Sequence, residues 1–162
     1  MAVQLATLVY VRTDTHTLML FRNKKPDDFH EGRWNGLGGK FEPGELPEEC
    51  ASRELLEESG LTALELEWKG LLTFPMFDGI KDWYVHVFVV PQFSGELIDS
   101  PEGDLAWIEN DKLLDLNLWP GDRVFLPWVF DDPFFSARFA YIDGEVESYQ
   151  KHFYGCGTRE NA

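Results

Sequence analysis

The chain has 162 residues, 29 of them Asp or Glu and 14 Lys or Arg, for a formal net charge of −15 at pH 7. One domain suits this length, and 44% apolar residues with thirteen Phe, six Trp and five Tyr exclude a disordered acidic chain. The charge disfavours binding of a nucleic-acid polymer, no run is apolar enough for a membrane span or signal peptide, and Cys50 and Cys156 have neither disulfide-framework nor zinc-ligand spacing, so a cytoplasmic monomer is expected.

Leu5 to Val11 and Thr17 to Phe21 are apolar, β-branched runs flanking Thr-Asp-Thr-His, which predicts a buried β-hairpin. Arg22 to Trp34 is a polar loop of a length usually reserved for function. After a glycine-rich stretch, Pro47 to Ser59 is predicted to be helical, with Pro47 at the first helical position, Glu48 and Glu49 at the positive end and Gly60 as the stop. Strands are predicted over Leu66 to Phe74, Trp83 to Val90 and Asp104 to Glu109, then a short helical stretch from Asp111 to Leu116. A second helix is predicted near Asp122 to Phe130, interrupted by Pro127. Phe134 to Ile142 and Val146 to Tyr149 form a hairpin turned by Asp143-Gly144. Helices falling between strands imply an α/β (α+β) fold with a mixed sheet. The expected domain spans residues 1–150, with a tail over 151–162.

The chemistry is concentrated between Gly36 and Leu61. At about 100° per residue, Glu54, Glu57 and Glu58 share one face of the helix. Such a cluster is ordinarily a solvated face, but the loop before it, with Gly36, Gly38, Gly39 and Gly44, is suited to close contact with a ligand. It is neither a Walker A loop, since Phe41 follows Lys40, nor a dinucleotide fingerprint. Carboxylates and carbonyls are hard ligands that select Mg²⁺ or Mn²⁺, and such ions bind with phosphates. Arg53, four residues from both Glu49 and Glu57, reads as a tether that orients Glu57 rather than a catalytic group.

Gly39, five residues, Glu45, seven residues, then Arg53-Glu54-Leu55-Leu56-Glu57-Glu58-Ser59-Gly60-Leu61 matches the signature of the MutT/Nudix superfamily without departure. A chance match in a chain this long is on the order of 10⁻⁷ from average composition, so the chain is identified as resembling that superfamily. The resemblance implies an α/β/α sandwich around a mixed sheet and hydrolysis of a nucleoside diphosphate linked to another group. It also implies divalent metal on Glu54, Glu57, Glu58 and the Gly38 carbonyl, with Glu54 as the base.

Further segments resemble the 8-oxo-dGTP diphosphatase subgroup, most distinctively Trp34-Asn35-Gly36 and Trp119-Pro120-Gly121-Asp122. The implied activity is conversion of 8-oxo-dGTP to 8-oxo-dGMP and pyrophosphate, a nucleotide-pool sanitation; the alternatives are hydrolysis of another nucleoside triphosphate or an ADP-linked diphosphate, and a nucleotide-binding domain without catalysis, against which the intact Glu54, Glu57 and Glu58 argue. Guanine offers N–H donors beside an O6 acceptor, so a buried carboxylate and an amide, Asp122 and Asn35, complement its edge. By the same resemblance Trp119 stacks on the base, Phe29 and Phe74 line its pocket, Thr7 lies at the floor, and Glu102 is a further acid near the metals. A human member of the subgroup has two consecutive acids after its Trp-Pro, whereas this chain has Gly121 first. A single acid cannot share a proton as a pair does, so tolerance of oxidised adenine nucleotides is expected to be reduced. An acid restored at 121 is expected to broaden it, provided the backbone there does not need positive φ. His86, alternating with apolar strand residues, is expected to be structural, and His30, in the long loop, is a candidate substrate contact that the sequence leaves undecided.

Overall fold

In the computed structural model, which describes residues 2–155, a five-stranded mixed sheet is joined by a smaller antiparallel sheet of three strands. The elements are β1 (Val3–Val11), β2 (His16–Arg22), β3 (Trp34–Asn35), α1 (Pro47–Ser59), β4 (Thr62–Phe74), β5 (Asp82–Ser94) and β6 (Gly103–Glu109). A 3₁₀ helix (Asn110–Asp115), α2 (Pro120–Asp131), β7 (Phe135–Ile142) and β8 (Glu145–Phe153) complete them. The larger sheet runs β1-β5-β4-β7-β8, with β1/β5 and β4/β7 parallel; the smaller runs β3-β2-β6. Cys156 and most of the expected tail lie outside the described residues.

Strand alternation puts the two faces of the large sheet into two cores. Ala6 and Tyr10 of β1 with Val85, Val87 and Val89 of β5 pack under α2, against Phe125, Leu126 and Val129. Val9 and Val11 with Phe88 and Val90 face the other way, onto Ala51 and Leu55 of α1 and Leu18 and Leu20 of β2. The central sheet is thus covered by a helix on each side, the mixed arrangement expected from the order of elements.

The first hairpin is not formed. Its turn closes, with Thr13 N–H donating to His16 O at 2.8 Å, but β1 pairs with β5 and β2 with β3 and β6. The free edge of β1 is instead taken by the glycine-rich segment: Val9 and Leu37 exchange hydrogen bonds of 2.7 and 3.0 Å, Thr7 N–H donates to Gly39 O at 2.8 Å, and Phe41 N–H to Leu5 O at 3.1 Å. A ladder edge can be satisfied only once, so β2 goes to the second sheet.

The second helix is also longer and less broken than expected. It begins at Pro120, which needs no N–H partner, and runs through Pro127 to Asp131. An interior proline costs a helix about 3 kcal/mol; four buried apolar side chains, Phe125, Leu126, Trp128 and Val129, offset that at about 1.5–3 kcal/mol each. The closing hairpin turns as expected, with φ of 51° at Asp143 and 79° at Gly144. Its last strand crosses the expected boundary at 150: Phe153 pairs with Phe135, is buried, and meets the Trp128 ring at 5.6 Å. The polar Gln150-Lys151-His152 hid that continuation. Among the described residues no helix is long and apolar enough to cross a membrane.

Candidate active site

A cleft of about 700 Å³ opens beside the glycine segment, lined by Glu54, Glu58 and Glu102 and by Asn35, Trp119 and Asp122. The segment's geometry admits only glycine at its tightest point. Gly38 has φ +120°, and a Cβ there would stand 2.2 Å from Thr7 O. On Gly39 a Cβ would meet the Glu54 carboxylate at 2.6 Å, so that side chain lies directly on the loop backbone.

The helix phase decides what each glutamate does. Glu58 follows Ala51 and Leu55 onto the buried face of α1, is 4% exposed, and accepts a hydrogen bond from Gly38 N–H at 3.0 Å. Burial, with Glu54 and Glu102 adding, pushes its pKa up to about 8 against the opposing effects of that hydrogen bond and Arg22. Burial likewise raises Glu54, against the opposing pull of Arg53. Glu57 points outward and its carboxylate meets Arg53 Nη1 at 3.3 Å. As the side chains stand, no three His, Cys, Asp or Glu among the described residues come close enough to share one ion. The expected convergence is therefore partial. Arg53 holds Glu54 at 2.8 Å as well as Glu57, while Lys25 holds Glu102 at 2.6 Å.

Arg53 proves to be a wider tether than its spacing implied. Its guanidinium forks onto Glu45 at 2.7 and 2.9 Å and reaches Lys40 O at 3.0 Å, which ties the loop to the helix. Glu49, also four residues from Arg53, is not among its partners: that carboxylate accepts from Leu46 N–H at 2.8 Å, closing the helix start. The Gly38 carbonyl accepts no hydrogen bond from the described residues. An unengaged carbonyl on the loop that holds the buried Glu58 and the half-buried Glu54 adds to an all-oxygen donor set suited to a hard divalent cation, which would relieve the carboxylates' mutual repulsion. Arg22, Lys25 and Lys40 add positive charge along the same cleft.

Along the same cleft Trp119 caps α2 and Asp122 lies in its first turn. Asp122 is 7% exposed, and its carboxylate accepts no hydrogen bond among the described residues. Burial lifts its pKa to about 7, against the opposing charge of Arg33. Asn35 is buried close by, its amide making only a long 3.4 Å bond to Arg33 O. Phe29 stacks on Trp119 at 5.6 Å and 14°, and the Arg33 guanidinium lies 4.1 Å over the indole. The stacked rings leave no gap for a third ring between them. Phe74 lines the cleft through contacts with Phe77 and Tyr141. Thr7 borders the cleft, yet its hydroxyl contacts Gly39 O at 3.4 Å and Cys50 Sγ at 3.5 Å, behind the glycine segment. It braces the loop rather than offering a hydroxyl at the floor, because strand alternation sends it opposite to Ala6 and Leu8.

Sequence reasoning missed Phe77 and Tyr141 here and left His30 undecided. Phe77, in the β4–β5 turn, sits within 5.1 Å of the Trp119 ring centroid and 4.9 Å of Phe29. Its place is fixed by Asp78, whose carboxylate accepts from Ile80, Lys81 and Trp83 Nε1. His30 accepts the Trp119 indole N–H, and Tyr141 borders Gly121. The length of the Arg22–Trp34 loop already pointed to His30; nothing local singles out Phe77 or Tyr141. His86 is structural as expected, with Nδ1 3.2 Å from Ala6 O and its ring between Phe41 and Trp68.

The NUDIX domain family model matches residues 2–129. Oxidized purine nucleoside triphosphate hydrolases from Mus musculus and Danio rerio are each 34% identical over 143 residues, covering 88% of this chain and 90% of theirs. A crystal structure of the MutT protein from Bacillus halodurans superposes with a TM-score of 0.79 at 32% identity, covering 91% of this chain and 97% of that one.

Proposed function

The chain belongs to the Nudix family, and from that premise we propose that it hydrolyses oxidised purine nucleoside triphosphates, 8-oxo-dGTP foremost, to the monophosphate and pyrophosphate, sanitising the nucleotide pool. The observation that carries the purine half of this reading is Asp122, a buried carboxylate with no donor among the described residues, in the same cleft as Trp119 and Asn35. It lines the same cleft as Glu54 and Glu58, so one nucleotide can meet both with its base and its phosphates. The names borne by the mouse and zebrafish relatives support the same reading.

We assign Mg²⁺, with Mn²⁺ as its chemical equivalent, to Glu54, Glu57, Glu58, Glu102 and the Gly38 carbonyl. When bound, such an ion neutralises phosphate oxygens and lowers the pKa of water. Glu54 removes the proton of the attacking water, and its burial raises its proton affinity in the direction a base needs. Arg22, Lys25 and Lys40 offset the charge of the incoming phosphates in an otherwise acidic protein. Asp122 accepts from the guanine N1–H and N2–H₂ groups and Asn35 fixes the base's orientation, while Trp119, Phe29 and Phe74 provide the apolar walls.

The experiment is Asp122→Asn. It turns a donor toward the base's donors, and a mismatched buried hydrogen bond costs about 1 to 3 kcal/mol, or roughly 5- to 150-fold in kcat/KM. Unchanged kcat/KM for 8-oxo-dGTP would refute this assignment of the base pocket.

A further inference from the structure

Gly121 lacks the side chain that would point into the base site, and another residue occupies that space. A Cβ on Gly121 would stand 2.5 Å from the Tyr141 hydroxyl, and the Gly121 N–H donates to that same oxygen at 2.7 Å. Tyr141 thus reaches from β7 to the first turn of α2 and puts a hydroxyl beside Asp122. One lone pair of the oxygen is used by Gly121, and the hydroxyl proton has no acceptor among the described residues. The neighbouring Asp122 carboxylate and the burial of the ring both favour the protonated phenol. The ring is also held edge-on to Trp119, at 5.7 Å and 86°, so the hydroxyl has little freedom to turn elsewhere.

We propose that Tyr141 is a base-recognition residue whose hydroxyl, fixed by the Gly121 N–H, donates to the O6 acceptor of an oxopurine while Asp122 accepts from the adjacent N1–H. This rests on the purine reading above and sharpens it. Acceptor and donor side by side match a lactam edge, where N–H and C=O are neighbours. An aminopurine presents N–H₂ in place of O6, which leaves the hydroxyl proton without an acceptor, and its unprotonated N1 would face the Asp122 carboxylate. Tyr141 therefore discriminates oxopurine from aminopurine nucleotides at a position where residue 121 contributes no side chain.

The test is metal-free binding of 8-oxo-dGMP and 8-oxo-dAMP, by calorimetry, to the wild type, Tyr141→Phe and Tyr10→Phe. Tyr10 is the control: a fully buried phenol whose hydroxyl also lacks a partner among the described residues and feels the Asp122 charge, but which does not line the cleft. Loss of one hydrogen bond should weaken 8-oxo-dGMP about 5- to 50-fold in Tyr141→Phe. Binding of 8-oxo-dAMP should change less than about twofold, which also shows that the variant is folded, and Tyr10→Phe should change neither. Unaltered 8-oxo-dGMP binding in Tyr141→Phe, equal weakening of both nucleotides, or the same loss in Tyr10→Phe would overturn the assignment of Tyr141. A wild type that binds neither nucleotide would overturn the purine reading itself, before any variant is compared.

Discussion

The indole N–H of Trp119 donates to Nδ1 of His30 at 2.8 Å, an arrangement available only while that nitrogen carries no proton. Burial and the nearby Arg22 and Arg33 hold the imidazole down to about 4, with Asp28 opposing them. Below the ordinary imidazole range the unfolded chain takes up a proton that the folded one refuses. His30 therefore costs stability progressively as pH falls from about 6.5 toward 4, and no further below that. In His30→Gln, which accepts a hydrogen bond without titrating, the melting temperature should fall less steeply across that window. An equal or steeper fall in the variant would contradict this assignment.

Glu58 gives the opposite slope. Its folded pKa of about 8 lies above that of an unfolded glutamate, so its contribution is full below about 4.5 and is lost as pH rises through 8. Glu58→Gln should raise the melting temperature of metal-free protein at pH 8 and reduce the increase that added Mg²⁺ or Mn²⁺ produces in the wild type. A variant that gains as much from metal as the wild type would remove Glu58 from the ligand set.

Turnover should respond to Glu54 more than to any neighbouring acid. Glu54→Gln keeps the shape, and kcat should drop by about 10²-fold or more with the fold intact, as for loss of a base or ligand. Arg53→Lys should also lower kcat, by about tenfold, because an ammonium cannot fork onto Glu45 while reaching Glu54 and Glu57. Near-normal kcat in Glu54→Gln would exclude it as the base.

Residue 121 behaves differently from what its sequence context suggests. Its φ is not positive, so backbone conformation does not bar an acid there; the Tyr141 hydroxyl does, at 2.5 Å from any Cβ. Gly121→Asp alone should destabilise the fold by about 1–3 kcal/mol through overpacking. Gly121→Asp with Tyr141→Phe should recover much of that in urea unfolding. Equal destabilisation with and without the second change would show that the two residues do not compete for one space.

The parts of the molecule legible in the sequence are those whose causes are local. Helix α1 carries its own start and stop in Pro47, Glu49 and Gly60, and the Asp143-Gly144 turn requires the positive φ those residues accept. The partner of β1 was not legible, because the glycine segment competing for its edge is some thirty positions away. The same distinction runs through the cleft. Helix periodicity brought Glu54 and Glu58 to it and set Arg53 against Glu57, but the grip of Arg53 on Glu45 and Lys40 O depends on a loop pinned elsewhere. The pairing of Gly121 with Tyr141 joins α2 to β7 and leaves no trace in the spacing of either.

The most direct measurement of the central claim is kcat/KM, from pyrophosphate release with Mg²⁺, for 8-oxo-dGTP, dGTP, 2-oxo-dATP and, by its own products, ADP-ribose. The account predicts that 8-oxo-dGTP is the best of the four and clearly exceeds 2-oxo-dATP, since one acid and a phenol read a lactam edge. Comparable values for the two oxidised nucleotides would contradict the pocket described here, and faster turnover of ADP-ribose than of either would contradict the proposed function.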